Sequence, residues 1–384
     1  MDIAFDISQV GHGKVGCGFF AQALIQALLS AENRYKYTLL PSCGDFFHDP
    51  NLNKNPPFQN LNVKFGPRLV HRHKAETFWQ DPIKVNQYLQ SFDLIHTNNF
   101  WCPKYSIDIP FIYTLYDMSF AEYPQWTTEA NRLGCFRNVL NASLYADFII
   151  AISKATKCAF LHHFPHVKPE KVRVIYPASR FQPSLRQSLN PAPPNKYKYL
   201  LGGHPFFLCV STIEPRKNHE MLIRAYNKFR SRNQQAILLV LVGGPGWCMN
   251  NFIDWMKSTL WSSDIYMLGY VRDDELAWLY SNCIANLYPS YYEGFGLPVL
   301  ECMEFGSPVI ASNCQSISEI IANSGLLLPS QNEDAWVYSM ERIVCEPTLR
   351  RELSEAALER CQAFSWHDTQ QQVLNLYAEV SADA

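Results

Sequence analysis

No run in the 384-residue sequence approaches the ~18 consecutive apolar residues of a membrane-spanning helix, which confines any lipid contact to the surface. The opening Met1-Asp2-Ile3-Ala4-Phe5-Asp6-Ile7 carries acids where a secretory signal needs a long apolar stretch, so a cytoplasmic address is predicted. An excess of one charge is also lacking. With 33 Lys and Arg against 35 Asp and Glu, the net charge of -2 supplies no general attraction to nucleic acid. The 12 cysteines include no Cys-x-x-Cys pair, and few histidines stand at metal-ligand spacing, which favours buried free thiols over disulfides or zinc. No Asp-x-Asp run is present to hold a divalent ion.

What the chain does contain is 47% hydrophobic and 18% charged residues, a globular composition, at a length that favours two α/β lobes over one core. Short apolar runs alternate with amphipathic stretches, the rhythm of βαβ units. Ile3 to Ile7 reads as the first strand and Phe19 to Leu29 as the helix after it. Further strands are expected at Tyr37 to Leu40, Leu94 to His96, Phe111 to Thr114, Phe148 to Ile152 and Val172 to Ile175. Between Tyr176 and Pro205 the prolines 177, 183, 191, 193 and 194 disfavour regular helix, so a linker is expected. The rhythm restarts with strands at Phe206 to Val210, Ala236 to Val242, Ile265 to Leu268, Ile284 to Leu287 and Pro308 to Ala311. The boundaries read are 1–180 for the first lobe, 181–204 for the linker and 205–366 for the second lobe. A last helix at 367–384 has apolar residues at helical spacing and can pack on either lobe.

The most informative stretch is Tyr291-Tyr292-Glu293-Gly294-Phe295-Gly296-Leu297-Pro298-Val299-Leu300-Glu301. It follows an apolar strand and opens a helix, so its glycines bring backbone N–H groups to a turn that suits phosphate or sugar oxygens. Glu293 and Glu301 stand near the same mouth, able to grip two hydroxyl-bearing parts of one molecule; a capping turn with two solvated glutamates is the plain alternative. A second strand-to-helix turn, Ser211 to His219, carries adjacent Arg216 and Lys217. Two cations at a helix N-terminus oppose its dipole, a cost that a bound diphosphate offsets, unless both are merely exposed in a loop.

These motifs resemble the retaining glycosyltransferases of family four, of the two-lobed GT-B type. The likeness rests on the Glu293/Glu301 E-x7-E spacing, the Arg216-Lys217 loop, the Gly243-Gly244-Pro245-Gly246 turn, Leu268-Gly269-Tyr270-Val271, Ser307 to Ser312 and Phe364-Ser365-Trp366. It is weaker in the first lobe, through Gly13-Lys14-Val15-Gly16, Thr114-Leu115-Tyr116-Asp117 and Ala151 to Lys154. The resemblance implies two Rossmann-like lobes whose parallel sheets face a central cleft, with the C-terminal helix crossing back to the first lobe. It implies that Arg216 and Lys217 neutralise a donor diphosphate, that Glu293 holds hydroxyls of the transferred sugar and that Glu301 holds the ribose. Backbone groups at Tyr270 and Val271 are then expected to read the base. Ser211, Thr212, Gly243, Gly294, Phe295, Gly296 and Leu297 line the donor, and Gly13 and Gly16 close over it.

One departure falls at Tyr116-Asp117, where the family often has His before Asp near the reacting sugar carbon. Tyr116 donates a hydrogen bond but does not readily carry positive charge at neutral pH, so His96 and Asn98 are read as candidate substitutes on the acceptor side, against the plain alternative of a strand-end histidine that is simply hydrogen-bonded. Gly11-His12-Gly13-Lys14-Val15-Gly16 also matches a dinucleotide fingerprint, but the required acid is missing from the end of the second strand and Glu32 falls in a helix instead, which disfavours an oxidoreductase.

The expected activity is transfer of a hexose from a nucleotide-diphosphate sugar, GDP-mannose ahead of UDP-glucose, UDP-GlcNAc and dTDP-rhamnose, to a saccharide or lipid-linked acceptor. A sugar-nucleotide binder with weakened turnover is the alternative. No cofactor or metal is called for, and no nucleic-acid partner. The basic cluster Arg68, His71, Arg72, His73 and Lys74 is either a dock for anionic lipid at the inner face of the membrane or a solvated loop.

Overall fold

The computed structural model describes residues 1–11, 14, 16–30, 35–44, 46–59, 63–181, 195–247 and 251–382. They divide into two compact units. The first comprises Met1–Pro124, Glu129–Ala178 and Phe364–Ala384; the second comprises Gln125–Thr128 and Ser179–Ala363.

The first unit is built on a parallel sheet of β1 (Asp2–Asp6), β2 (Lys36–Leu40), β3 (Lys64–Phe65), β4 (Leu94–Thr97), β5 (Phe111–Leu115), β6 (Phe148–Ala151) and β7 (Val172–Val174). Its order is β3-β2-β1-β4-β5-β6-β7. All five residues of β5 are buried, as a strand covered by helices on both faces must be, so it reads as an unbroken apolar run. Order reverses between β1 and β4, which pair in register from Ile3 opposite Leu94 to Phe5 opposite His96.

The helix Trp366–Ala382 belongs to this unit, with Val373, Leu376, Tyr377 and Val380 buried. Its spacing left the choice of lobe open. The packing partners decide it: Trp366 lies 5.8 Å from Phe20, and Tyr377 meets both Tyr35 and His96 edge-on.

The second unit carries β8 (Phe206–Val210), β9 (Leu238–Val242), β10 (Ile265–Gly269), β11 (Asn286–Tyr288), β12 (Val309–Ser312) and β13 (Leu326–Leu328), ordered β10-β9-β8-β11-β12-β13. Every strand pair is parallel. Counted within the unit, this is the 3-2-1-4-5-6 order of a doubly wound nucleotide-binding sheet, whose ligand site lies beyond the carboxyl ends of the first and fourth strands, here β8 and β11. Phe207, Cys209, Leu239, Leu241 and Leu287 of the central strands pack with Leu222, Tyr226 and Phe229 of the helix His219–Arg232 and with Trp336 and Met340.

Two local readings change. The expected linker contains a helix, Asn195–Leu200, because beyond Pro194 no proline interrupts the chain until Pro205 and Tyr197 supplies an anchor. Tyr197 is buried and stacks on Trp278 at 5.7 Å. Pro183, Pro191, Pro193 and Pro194 lie outside the described residues. The short segment Gln125–Thr128 groups with the second unit, where Trp126 stacks on Tyr291 with ring centroids 5.5 Å apart. Strand β3 escaped the sequence reading because two residues carry no periodicity, and β13 because its uninterrupted leucine run, Leu326–Leu328, shows no alternation.

Among the described residues no cysteine is in a disulfide, and Cys43, Cys102, Cys135, Cys209, Cys302 and Cys361 are buried. Among the same residues no helix is long and apolar enough to cross a membrane.

Candidate active site

The loops after β8 and β11 meet at the point where the strand order of the second unit reverses. After β8 the chain makes a tight turn, Pro215–Lys217, and Asn218 takes a left-handed conformation (φ 59°) before the helix His219–Arg232 begins. Asn218 Nδ2 donates to the carbonyls of Pro289, at 3.1 Å, and Ser330, at 2.8 Å. The backbone N–H of Tyr291 donates to Arg216 O at 2.9 Å. These bonds fasten the two loops together and aim Arg216 and Lys217 at Glu293.

Lys217 Nζ donates to Glu293 Oε1 at 2.6 Å and to the Tyr288 hydroxyl at 3.4 Å. Arg216 Nη1 donates to Glu293 Oε2 at 2.9 Å and to Tyr292 O at 3.1 Å, and its Nη2 reaches Glu214 Oε1 at 2.7 Å. Burial alone would push the Glu293 carboxyl up, but Lys217 and Arg216 hold it at about 2. The sequence reading took the adjacent cations as a pair in need of a foreign anion. The structure shows that Glu293 and Glu214 already face them, so the four charges sum to zero.

The ammonium of Lys217 has three N–H donors, of which these bonds use two, and the turn of Gly294 to Gly296 opens the helix Leu297–Glu304 beside it. Gly296 has φ 121°, a conformation that disfavours any residue with a Cβ. Gly243 (φ 146°) ends β9 against the Ser211 loop, where an added Cβ would collide with the carbonyl oxygen of Ser211.

Three of the four expected charged side chains therefore converge. The fourth, Glu301, is buried one turn into the helix and faces a different cation. Its Oε1 lies 3.1 Å from Arg180 Nε, and its Oε2 accepts from the Tyr280 hydroxyl at 3.2 Å. Burial is the main reason its carboxyl is raised above the ordinary range.

Ser211 is buried with its hydroxyl 3.0 Å from His219 Nε2, while Thr212 is half-buried. His219 is held neutral, its pKa lowered to about 3 by burial and then by Lys217. Phe295 and Val271 are buried, Leu297 is half-buried and Tyr270 is 68% exposed. The sequence reading assigned no role to Glu214, His219, Tyr280, Tyr288 or Arg180. Glu214 and His219 stood inside the motif already singled out, whereas Arg180 sits far from Glu301 along the chain and bears no local signal.

In the first unit the structure gives the expected acceptor-side residues structural work. His96 is fully buried with Nδ1 2.7 Å from the Tyr377 hydroxyl and Nε2 2.9 Å from Thr114 Oγ1, so both ring nitrogens are occupied, and burial lowers its pKa to about 3. Asn98 donates its backbone N–H to Asp6 Oδ2 at 2.9 Å and accepts from Thr114 Oγ1 at 3.0 Å. Tyr116 is buried, its hydroxyl donating to Asn98 O at 2.8 Å, and its pKa is driven well above the usual range by burial. That leaves His96 no ring nitrogen for an acceptor and Tyr116 no spare proton, because each is spent inside the core.

Asp117 Oδ1 accepts from the Ser119 backbone N–H at 3.1 Å and from its hydroxyl at 2.9 Å, fixing the turn into the helix Ser119–Glu122. Gly13 lies outside the described residues, as does Glu32; Gly16 opens the helix Gly16–Ser30 in open space. Among the described residues no group of three or more His, Cys, Asp or Glu comes together to hold a metal ion.

Residues 195–360 match the family model described as glycosyl transferases group 1, and residues 26–178 match the Glycosyltransferase Family 4 model. Both matched stretches, each under half of the chain, are those of glycosyltransferase models, and the two parallel-sheet α/β units have the GT-B fold of solved glycosyltransferases.

Among particular relatives, the chain is 33% identical over 180 residues to the O-antigen chain mannosyltransferase B of Escherichia coli, covering 47% of each chain. It is 30% identical over 176 residues to the D-inositol 3-phosphate glycosyltransferase of Stackebrandtia nassauensis, covering 44% of this chain and 40% of that one. The matches thus span about half the length of these curated relatives, or less. In fold the chain is similar to Anabaena HepE, solved in complex with UDP and glucose, with a TM-score of 0.71 and 18% identity over 98% of this chain and 99% of that one.

Proposed function

We propose that the protein transfers a hexose from a nucleotide-diphosphate sugar, with retention at the anomeric carbon, to a saccharide or lipid-linked saccharide acceptor in glycan assembly. The observation that carries this reading is the clamp of Arg216 and Lys217 on Glu293 at the switch point of a 3-2-1-4-5-6 sheet. Departure of a nucleoside diphosphate places negative charge on its β-phosphate while the sugar becomes oxocarbenium-like. Arg216, Lys217 and the N–H groups of the Gly294–Gly296 turn supply preorganised positive potential for the phosphates. Glu293, kept ionised by its neighbours, accepts hydrogen bonds from sugar hydroxyls, and Glu301 accepts from the ribose. Arg216 and Lys217 are already held by carboxylates, so the donor enters by sharing their N–H groups.

GDP-mannose is the favoured donor, in keeping with the mannosyltransferase among the relatives, ahead of UDP-glucose, UDP-GlcNAc and dTDP-rhamnose. The side chains meet the diphosphate charge, so we assign no metal to the reaction. The first unit takes the acceptor. Arg68, His71, Arg72, His73 and Lys74, on and before the helix Arg72–Trp79, form the surface that meets an anionic leaflet when that acceptor is lipid-linked.

A thermal-shift screen of nucleotide sugars tests the reading, because a bound donor raises the melting temperature by mass action. A GDP-mannose response followed by transfer to a mannose-containing acceptor supports it, and no response to any nucleotide sugar removes it. A second reading, a sugar-nucleotide binder with weakened turnover, is favoured by one observation: the Tyr116 hydroxyl is committed to the Asn98 carbonyl. Slow donor hydrolysis without acceptor marks an enzyme, and its absence marks the binder.

A further inference from the structure

Arg180 enters the second unit in a segment fixed on both sides. The backbone N–H of Phe181 donates to Ser179 Oγ at 3.0 Å, and the Phe181 ring is fully buried against Tyr280 and Phe305, with centroids at 6.0 and 5.2 Å. The Arg180 guanidinium lies over that ring at 5.0 Å. From there Nε stands 3.1 Å from Glu301 Oε1 and Nη1 stands 3.4 Å from Asp273 Oδ1. The pair is well shielded, with side-chain exposures of 18% for Arg180 and 6% for Glu301. Tyr280 holds the other carboxylate oxygen.

An ionised carboxylate has about four lone-pair sites on its two oxygens; the Tyr280 hydroxyl takes one on Oε2, while Arg180 faces Oε1 as an ion pair. The lone-pair sites that remain are enough in number for a pair of vicinal hydroxyls. Resting on the proposed reading of this unit as a nucleotide-sugar site, we infer that Arg180 is a positioning residue whose ion pair with Glu301 aims that carboxylate at the ribose hydroxyls of the donor.

The electrostatics give the inference a signature that a merely structural role lacks. The groups facing Glu301 are Arg180 and Tyr280, which favour its ionised form, and Asp273, at the start of the helix Asp273–Asn282, which opposes it. Cys302, next to it on its own helix, is kept neutral by burial, and Tyr270 faces Arg180 from the loop after β10. Burial already raises the Glu301 carboxyl, so loss of Arg180 raises it further. A protonated carboxyl turns one acceptor site into a donor and fits two hydroxyls poorly.

The test is calorimetric titration of the full chain with GDP and UDP from pH 5.5 to 9, for the wild type, Arg180→Gln, Arg180→Lys, Asp273→Asn and Glu301→Gln. Wild-type affinity is expected to fall on the acid side as Glu301 protonates. In Arg180→Gln that limb moves to higher pH by about one unit or more, so the loss grows to about tenfold at the acid end and shrinks toward pH 9. Arg180→Lys restores most of the affinity, because an ammonium supplies the charge without the fork.

Asp273→Asn, a substitution at a half-exposed position, moves the limb the other way and carries the test if Arg180→Gln does not fold. Glu301→Gln is weak and keeps only the acid-side fall that protonation of the ligand's terminal phosphate itself produces, against which the other limbs are read. Under saturating donor, kcat of Arg180→Gln stays within about threefold while KM rises. A loss equal at every pH, or limbs that do not move in Arg180→Gln and Asp273→Asn, overturns the inference while the nucleotide site stands. A wild type that binds no nucleoside diphosphate overturns both.

Discussion

Lys217 Nζ lies 2.6 Å from Glu293 Oε1, joining the end of one strand-to-helix loop to the end of another across the switch point of a parallel sheet. The carboxylate of Glu293 is shared with Arg216 at 2.9 Å, and with Glu214 on the other side of Arg216 the four side chains balance one another at rest; the two cations are proposed to meet an incoming anion. Lys217→Ala is therefore expected to lower transfer by about 10²–10³-fold, the scale of removing one preorganised charge at a reacting centre. Stability should fall by only about 1–3 kcal/mol, because Arg216 keeps Glu293 paired. Steady-state kinetics beside a melting curve checks both; transfer within a few-fold of wild type removes Lys217 from the machinery.

Tyr116 provides the opposite test. Its hydroxyl serves the Asn98 carbonyl inside the first unit. Tyr116→Phe should cost about 1 kcal/mol of stability, the value of one buried neutral hydrogen bond, and leave transfer within about threefold. A fall in kcat of tenfold or more, with an unchanged melting temperature, would give Tyr116 the catalytic part that the family likeness assigns to this position.

Acid should weaken the second unit through His219. The folded-state pKa of its imidazole is lowered to about 3 from an ordinary value of 6.5, so between those values the unfolded chain binds the extra proton and the folded chain does not. Stability from this group is complete above pH 6.5 and is lost as pH falls toward 3, at up to about 1.4 kcal/mol per unit. Glu293 adds a second loss further down, between its ordinary 4.5 and its folded value of about 2. Denaturant titrations at pH 7.5, 6.5 and 5.5 check the upper window; His96 contributes to the same window from the first unit, so His219→Gln should make the slope shallower without abolishing it. An equal slope in the variant would show that His219 is not its source.

Gly243→Ala should damage the Ser211 loop, because the residue sits at φ 146° with its missing Cβ directed at the Ser211 carbonyl. A rise in donor KM of about tenfold, with a stability cost above about 1 kcal/mol, is expected. Unchanged donor affinity would detach that loop from the donor.

The α/β rhythm was legible because parallel strands buried on both faces are unbroken apolar runs, as at Phe206–Val210 and Leu238–Val242. The charged core of the site was legible too, because Arg216-Lys217 and Glu293 sit in local strand-to-helix signatures. What escaped was whatever depends on the chain returning from elsewhere. Glu214 looked like part of a loop until the guanidinium of Arg216 folded back on it, and Arg180 acquires meaning only when Ser179–Phe181 packs beside Tyr280. His96 shows the converse: a histidine at a strand end looks available in sequence, yet Tyr377 of the last helix and Thr114 of the neighbouring strand cover both of its nitrogens.

The central claim is that Arg216 and Lys217 recognise a diphosphate, and comparing the affinities of GDP, GMP and guanosine for the wild type and Lys217→Ala tests it most directly. The account predicts that the wild type binds the diphosphate at least about 10²-fold more tightly than the nucleoside, and that Lys217→Ala loses most of this preference while still binding guanosine as before. A Lys217→Ala variant that keeps the full preference for the diphosphate would contradict it.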